Sequence, residues 1–282
     1  MTTRIDRAFA RLRGERRCGL VTYVTAGDPD LRRSADVLKA LDRGGADVIE
    51  VGVPFSEPLA DGPVIQRAAE RALAAGTSLR TTLDLIRGVR EEIGAAVVLF
   101  TYANPVHRMG RDAFVRAAAD AGVDGVLVLD LPVEEAGELR DALTEARLDP
   151  IFLLSPTTSD ERIRRASALG SGFLYAISRL GVTGTRPDLA GGLDALVARI
   201  RAATTMPIAV GFGISRAEHV AAIGRLADAA VVGSALVDLV ARTRDAPDLA
   251  AGVEAYVRWL AGRAPRPDDV VADGPAPVSH RP

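Results

Sequence analysis

Residues 30–53, DLRRSADVLKALDRGGADVIEVGV, hold one complete helix-to-strand unit. Within Asp30–Arg43 the apolar residues Val37, Leu38 and Leu41 recur at helical spacing. Gly44 and Gly45 interrupt that period, Asp47–Val53 reads as a short buried strand, and Pro54 ends it.

The same alternation runs through the chain. Strands are expected at Leu20–Val24, Val48–Val53, Ala96–Thr101, Gly125–Leu129, Ile151–Leu154, Phe173–Ile177, Ile208–Val210 and Ala229–Val232. Amphipathic helices are expected at Asp30–Arg43, Leu79–Glu92, Arg111–Ala121, Val133–Ala146, Ser159–Leu169, Leu193–Ala202, Arg216–Ile223 and Ala235–Arg242. Cap-like residues such as Asp28-Pro29, Ser78, Ser159 and Ser215 open several of them, and Gly122, Gly170 and Gly224 follow others. Eight strand-helix alternations in about 250 residues predict a single (β/α)8 barrel of the TIM type rather than a doubly wound open sheet. Further helices at Thr2–Arg13, at Pro63–Ala75 in the second loop and at Leu249–Ala261 would decorate it. The barrel domain spans residues 1–263; residues 264–282 carry five prolines without hydrophobic periodicity and read as a disordered tail.

Composition removes several function classes. The formal net charge of -2 gives no electrostatic reason to expect nucleic acid or an anionic membrane as partner. No apolar run reaches the roughly 18 residues of a membrane span, and Met1–Arg17 lacks a signal-peptide core, so a cytoplasmic protein is expected. Cys18 is the only cysteine, which precludes an intrachain disulfide and a Cys-based metal site; it reads as a buried small hydrophobe. Lys39, on a helix face, is the only lysine among 35 basic residues, which disfavours a Schiff base. His107, His219 and His280 lie far apart without ligand-type neighbours, so no metal site is expected.

One carboxylate stands out. Glu50 sits inside an apolar strand, where an unpaired charge is costly, so the group is paired, protonated or facing a cleft. Eleven residues later Asp61 closes a loop rich in Pro and Gly that can fold a second carboxylate over the first. Two acids in different environments suit proton-transfer chemistry. In such barrels the site lies at the C-terminal ends of the strands, often with a phosphate site after strands 7 and 8. Those loops are Gly211-Phe212-Gly213-Ile214-Ser215 and Gly233-Ser234-Ala235, each offering backbone N–H groups at a helix start. The long loop after strand 6, residues 178–185, is expected to act as a lid contributing Gly184 N–H.

The strings Glu50-Val-Gly-Val-Pro-Phe-Ser56, Leu59-Ala-Asp-Gly-Pro63, Tyr102-Ala-Asn-Pro105, Gly181-Val-Thr-Gly184, Gly211-Phe-Gly-Ile-Ser215 and Gly233-Ser234 resemble the tryptophan synthase alpha-subunit family in order and spacing. The likeness covers roughly Arg4–Ala261. It implies a barrel that cleaves indole-3-glycerol phosphate to indole and glyceraldehyde 3-phosphate, with no cofactor in this chain. It also implies docking on a pyridoxal-phosphate beta subunit in an alpha-beta-beta-alpha assembly. By the same resemblance Glu50 is the general acid and base, while Asp61 stays ionised and accepts the indole N–H. Gly184, Phe212, Gly213, Gly233 and Ser234 match phosphate-contact positions, and Gly211, which opens the loop after strand 7, is a further substrate-binding candidate. Tyr23, Phe100, Leu127 and Ile177 would line the indole slot. Tyr175 would lie near the glycerol portion or orient Glu50, a packed barrel aromatic being the alternative. Thr183 would bridge the lid to Asp61. Pro54, Glu57, Asn104 and Pro105 resemble the docking surface, with a turn at Asn104-Pro105 the other reading.

Two positions depart from the family pattern: Glu57 stands where Asp is common, and Phe100 replaces a frequent aliphatic residue. The chemistry fits the residues independently. A retro-aldol cleavage needs an electron sink, and an indole ring protonated at C3 is one. The alternatives are a stand-alone lyase releasing free indole, a non-catalytic phosphate-binding barrel acting allosterically, and a sugar-phosphate isomerase on the same scaffold.

Overall fold

In the computed structural model, residues 2–177, 191–211 and 213–267 are described. The first half contains α1 (Arg4–Glu15), β1 (Gly19–Thr25), α2 (Leu31–Gly44), β2 (Val48–Gly52), α3 (Pro63–Ala74), α4 (Leu79–Val89), β3 (Ala96–Thr101), α5 (Ala103–Met109) and α6 (Arg111–Asp120). There follow β4 (Gly125–Val128), α7 (Gly137–Glu145), β5 (Asp149–Leu154), α8 (Asp160–Leu169), β6 (Leu174–Ile177) and α9 (Gly191–Ala203). The last part is β7 (Ile208–Gly211), α10 (Ala217–Ile223), β8 (Ala229–Val232), α11 (Ser234–Arg242) and α12 (Leu249–Leu260). The strands pair in parallel in sequence order, and β8 closes on β1 through Val21↔Val231 and Thr22↔Val232.

All eight expected strands form; the differences lie in the helices. Helix α5 is absent from the sequence reading because Asn104-Pro105 reads equally as a turn. Pro105 is its third residue, where the missing N–H costs no intrahelical bond. Helix α7 begins later than the expected Val133, because the chain first makes a turn in which Glu135 N donates to Pro132 O at 2.9 Å. Helix α4 stops at Val89 and continues to Glu92 as a 3-10 turn. Asp30, not Asp28, caps α2 by accepting from Arg33 N at 2.8 Å, and Arg216 rather than Ser215 precedes α10.

Strand alternation sorts side chains into two cores. Outward residues such as Leu20, Ile49, Val51, Val97 and Leu99 pack under the helices. Inward residues Val21, Val48, Val98, Leu127, Ile151, Tyr175, Ala209 and Val231 fill the barrel, and α1 closes its N-terminal end with Ile5, Phe9 and Leu12. The Phe9 and Phe173 rings lie 5.6 Å apart there.

The N-terminal rim is held by aspartates placed just before strands. Asp47 Oδ2 accepts from Leu20 N at 3.0 Å, Asp124 Oδ2 from Val97 N at 2.8 Å and Asp228 Oδ2 from Ile208 N at 2.7 Å. Each also meets arginine: Arg11 and Arg17 at Asp47, Arg4 and Arg90 at Asp124, Arg201 at Asp228. Arg266 lies over the Trp259 ring, 5.8 Å from its centroid. No helix among the described residues is long and apolar enough to cross a membrane.

Candidate active site

Inward alternation puts Glu50 inside the barrel. Its neighbours Ile49 and Val51 face the helices, and its register partners are Tyr23 on β1 and Val98 on β3. The side chain is 0% exposed, and neither carboxylate oxygen has a hydrogen-bond partner among the described residues. Of the three options that the sequence leaves open, pairing is therefore absent among the described residues. Burial in an apolar barrel disfavours the charged form and pushes the carboxyl up to about 8.

Two phenols share this interior. Tyr23 packs edge-on against Phe100, with centroids 5.2 Å apart at 73°, and Tyr175 is buried on β6. Burial pushes both hydroxyls upward, and the negative charges of Glu50 and Asp61 act in the same direction. Glycine makes room for each ring. A Cβ at Gly211 would fall 2.5 Å from the Tyr175 hydroxyl, and one at Gly52 would overlap that of Tyr23. Gly211 thus has a packing reason besides the expected substrate-binding role. Ile177 packs partly buried against the interior cluster, and Leu127 is 0% exposed within it.

Asp61 arrives from the loop between β2 and α3. Tyr102 O–H donates to its Oδ2 at 2.9 Å, while the Ala60 N–H donates to the same phenol oxygen at 3.2 Å. Gln66 Nε2 donates to Asp61 O at 2.9 Å and to Pro58 O at 3.4 Å. Burial pushes the Asp61 carboxyl upward, opposed by the Tyr102 bond.

At the opposite side, Gly213 adopts φ +47, a left-handed conformation. Ser215 is pinned twice: its N–H donates to His219 Nδ1 at 3.3 Å, and its carbonyl accepts from Tyr256 O–H on α12 at 2.8 Å. Gly233 precedes α11 and Ser234 is that helix's first residue, so the first-turn N–H groups point outward at the positive end of its dipole. Thr183, Gly184 and Phe212 lie outside the described residues, as does the expected lid.

The other titratable residues stand elsewhere. Lys39 pairs with Glu92 at 2.5 Å on the helical shell. Cys18 is half-buried, and burial pushes its thiol up to about 11. No group of three or more His, Cys, Asp or Glu placed to hold a metal occurs among the described residues.

The profile of the family described as tryptophan synthase alpha chain matches residues 9–261. The chain belongs to that family. It is 47% identical over 258 residues to the tryptophan synthase alpha chain of Solibacter usitatus, covering 92% of this chain and 97% of that one. It is 52% identical over 250 residues to that of Methylococcus capsulatus, covering 88% and 93%. Among solved structures, tryptophan synthase subunit alpha from Legionella pneumophila superposes with a TM-score of 0.86 at 35% identity, covering 93% of this chain and 98% of that one. Tryptophan synthase from Mycobacterium tuberculosis gives 0.85 at 37% identity, covering 93% and 98%.

Within this tryptophan synthase alpha chain fold, the described surface around Asp61 holds features that the sequence reading missed. Tyr102 was visible only as part of a motif; its position one residue beyond the end of β3, at the catalytic end of a barrel strand, was the available signal. Leu59 is 90% exposed on the Asp61 loop. Glu57 and Asn104 are exposed, Pro105 is half-buried and Pro54 is buried at the loop's root.

Proposed function

We propose that this chain is the alpha-subunit lyase of tryptophan biosynthesis and cleaves indole-3-glycerol phosphate to indole and glyceraldehyde 3-phosphate, with Glu50 and Asp61 as its acid-base pair. The observation that supports the residue roles is a fully buried Glu50 whose carboxylate oxygens have no hydrogen-bond partner among the described residues, burial pushing the carboxyl up to about 8 so that a proton is available near neutral pH.

Protonated Glu50 gives its proton to ring C3 of the bound indole. Asp61 accepts the ring N–H and stabilises the positive charge that develops there. The Glu50 carboxylate then takes the proton of the hydroxyl on the carbon attached to C3. That carbon becomes the aldehyde, the C–C bond breaks, and its electrons return to the ring. Glu50 ends protonated, as it began. Tyr23, Phe100, Leu127 and Ile177 supply flat apolar walls, while Tyr175 lies by the glycerol portion. Gly211, Gly213, Gly233 and Ser234, with Gly184 and Phe212 by resemblance, hold the phosphate, and Thr183 closes on Asp61. The partner is a beta subunit that carries pyridoxal phosphate; it docks over Glu57, Asn104 and Pro105, above Pro54. The exposed Leu59 offers an apolar anchor on the same loop.

The test is indole release from indole-3-glycerol phosphate by the purified chain, alone and with a tryptophan synthase beta subunit. Slow release that rises by orders of magnitude with partner is expected, declining as pH passes about 8 and Glu50 loses its proton. Fast partner-free release would make it a stand-alone lyase, and no release in either condition would sink the reading.

A further inference from the structure

We propose that Tyr102 is a positioning residue for this reaction, its hydroxyl aiming the Asp61 carboxylate and tying it to the first turn of α5. The inference rests on the reading of Asp61 as acceptor for the indole N–H.

Asp61 stands on a loop whose neighbour Leu59 is 90% exposed, and the hydrogen bond to its carboxylate comes from outside the loop. Tyr102 supplies it. It is 5% exposed, it follows β3 directly, and its ring lies against Phe55 with centroids 5.0 Å apart at 32°. The Ala60 N–H can only donate, so the phenol oxygen accepts there and its own proton is directed to Asp61 Oδ2. One hydroxyl thereby fixes both the loop backbone and the carboxylate, and leaves Oδ1 for the substrate. Tyr102 also immediately precedes α5, which carries Asn104 and Pro105. Contact with a partner at α5 would act on Asp61 through a single hydrogen bond.

The groups around this pair are Tyr23 from β1, Glu50 from β2 and Tyr175 from β6, with Asp130, beyond β4, facing Tyr102. All are neutral or anionic, so Tyr102 is the donor that favours the charged form of Asp61 among the described residues.

The experiment is a pH titration of carboxyl-labelled aspartate by carbon NMR in the parent and in Tyr102→Phe, the Asp61 signal being assigned with Asp61→Asn. Phenylalanine keeps the ring, so the fold persists, checked by circular dichroism. Loss of the bond should raise the apparent pKa of Asp61 by about one unit, a tenfold change. The acid limb of kcat/KM for indole release should move up with it, kcat falling more than KM rises. An Asp61 titration identical in parent and variant overturns the proposal. A parent that releases no indole would instead overturn the reading of function, while the carboxyl titration still decides the Tyr102 bond.

Discussion

Glu50 is a destabilising residue in a folded barrel, and its protonation makes that measurable. Its folded value is about 8 against an ordinary 4.5. Below pH 4.5 both folded and unfolded chains carry the proton, and no pH-dependent penalty arises. Between 4.5 and 8 the unfolded chain releases it while the barrel holds it, so stability declines as pH rises. At roughly 1.4 kcal/mol per unit the loss by pH 8 amounts to a few kcal/mol. Glu50→Gln should therefore raise the melting temperature at pH 8 and flatten its fall between pH 5 and 8, while indole release drops by orders of magnitude. A variant whose melting curve tracks the parent's at every pH would show that Glu50 carries no such penalty. The carboxylate itself is legible in the sequence, because Val48–Val53 is otherwise apolar. Its lack of a partner is not, since that depends on what seven other strands place around it. Tyr102 is hidden for the same reason: its bond to Asp61 spans 41 positions of sequence.

Elements were legible where an apolar run or period is bounded by chain breakers. Short apolar runs bounded by Gly and Pro mark all eight strands, whereas α5, seven residues with proline in its first turn, has no period to detect. The aspartates before β2, β4 and β8 are a signal that local patterning passes over, because each serves the neighbouring strand rather than its own. Asp47 shows the principle. Burial pushes its carboxyl up, but the bonds from Arg17, Leu20 N–H and Arg11 outweigh that and hold it below its ordinary value. The sign is opposite to that of Glu50: this stabilisation is present above about pH 4 and is lost as pH falls through the depressed value. Asp47→Ala leaves Leu20 N–H without its side-chain acceptor and removes the pairs to two partly exposed arginines, and should cost about 1 to 3 kcal/mol at pH 7, shrinking towards pH 3. Urea unfolding at both pH values reads the difference; an equal loss at the two would remove the ion pairs from the account.

For the whole molecule, chemistry and architecture are split between the two ends of the barrel. Glu50, Asp61 and the glycines stand at one end; α1, with Phe9 set against Phe173, closes the other. Phe9→Ala should cost about 3 to 4 kcal/mol through the cavity it leaves, yet the kcat of the folded variant should be unchanged. A kcat that falls in step with stability would mean the two ends are coupled. The plug also sets a schedule for the ribosome. Its landing surface includes Phe173 beside β6, whose ring meets Phe9, and β1 likewise awaits β8. At about 5 to 20 residues per second, the first helix translated waits on the order of ten seconds or more for its last neighbours. Through that interval Ile5, Phe9 and Leu12 are wet and adhesive, a surface that a chaperone on the nascent chain would cover.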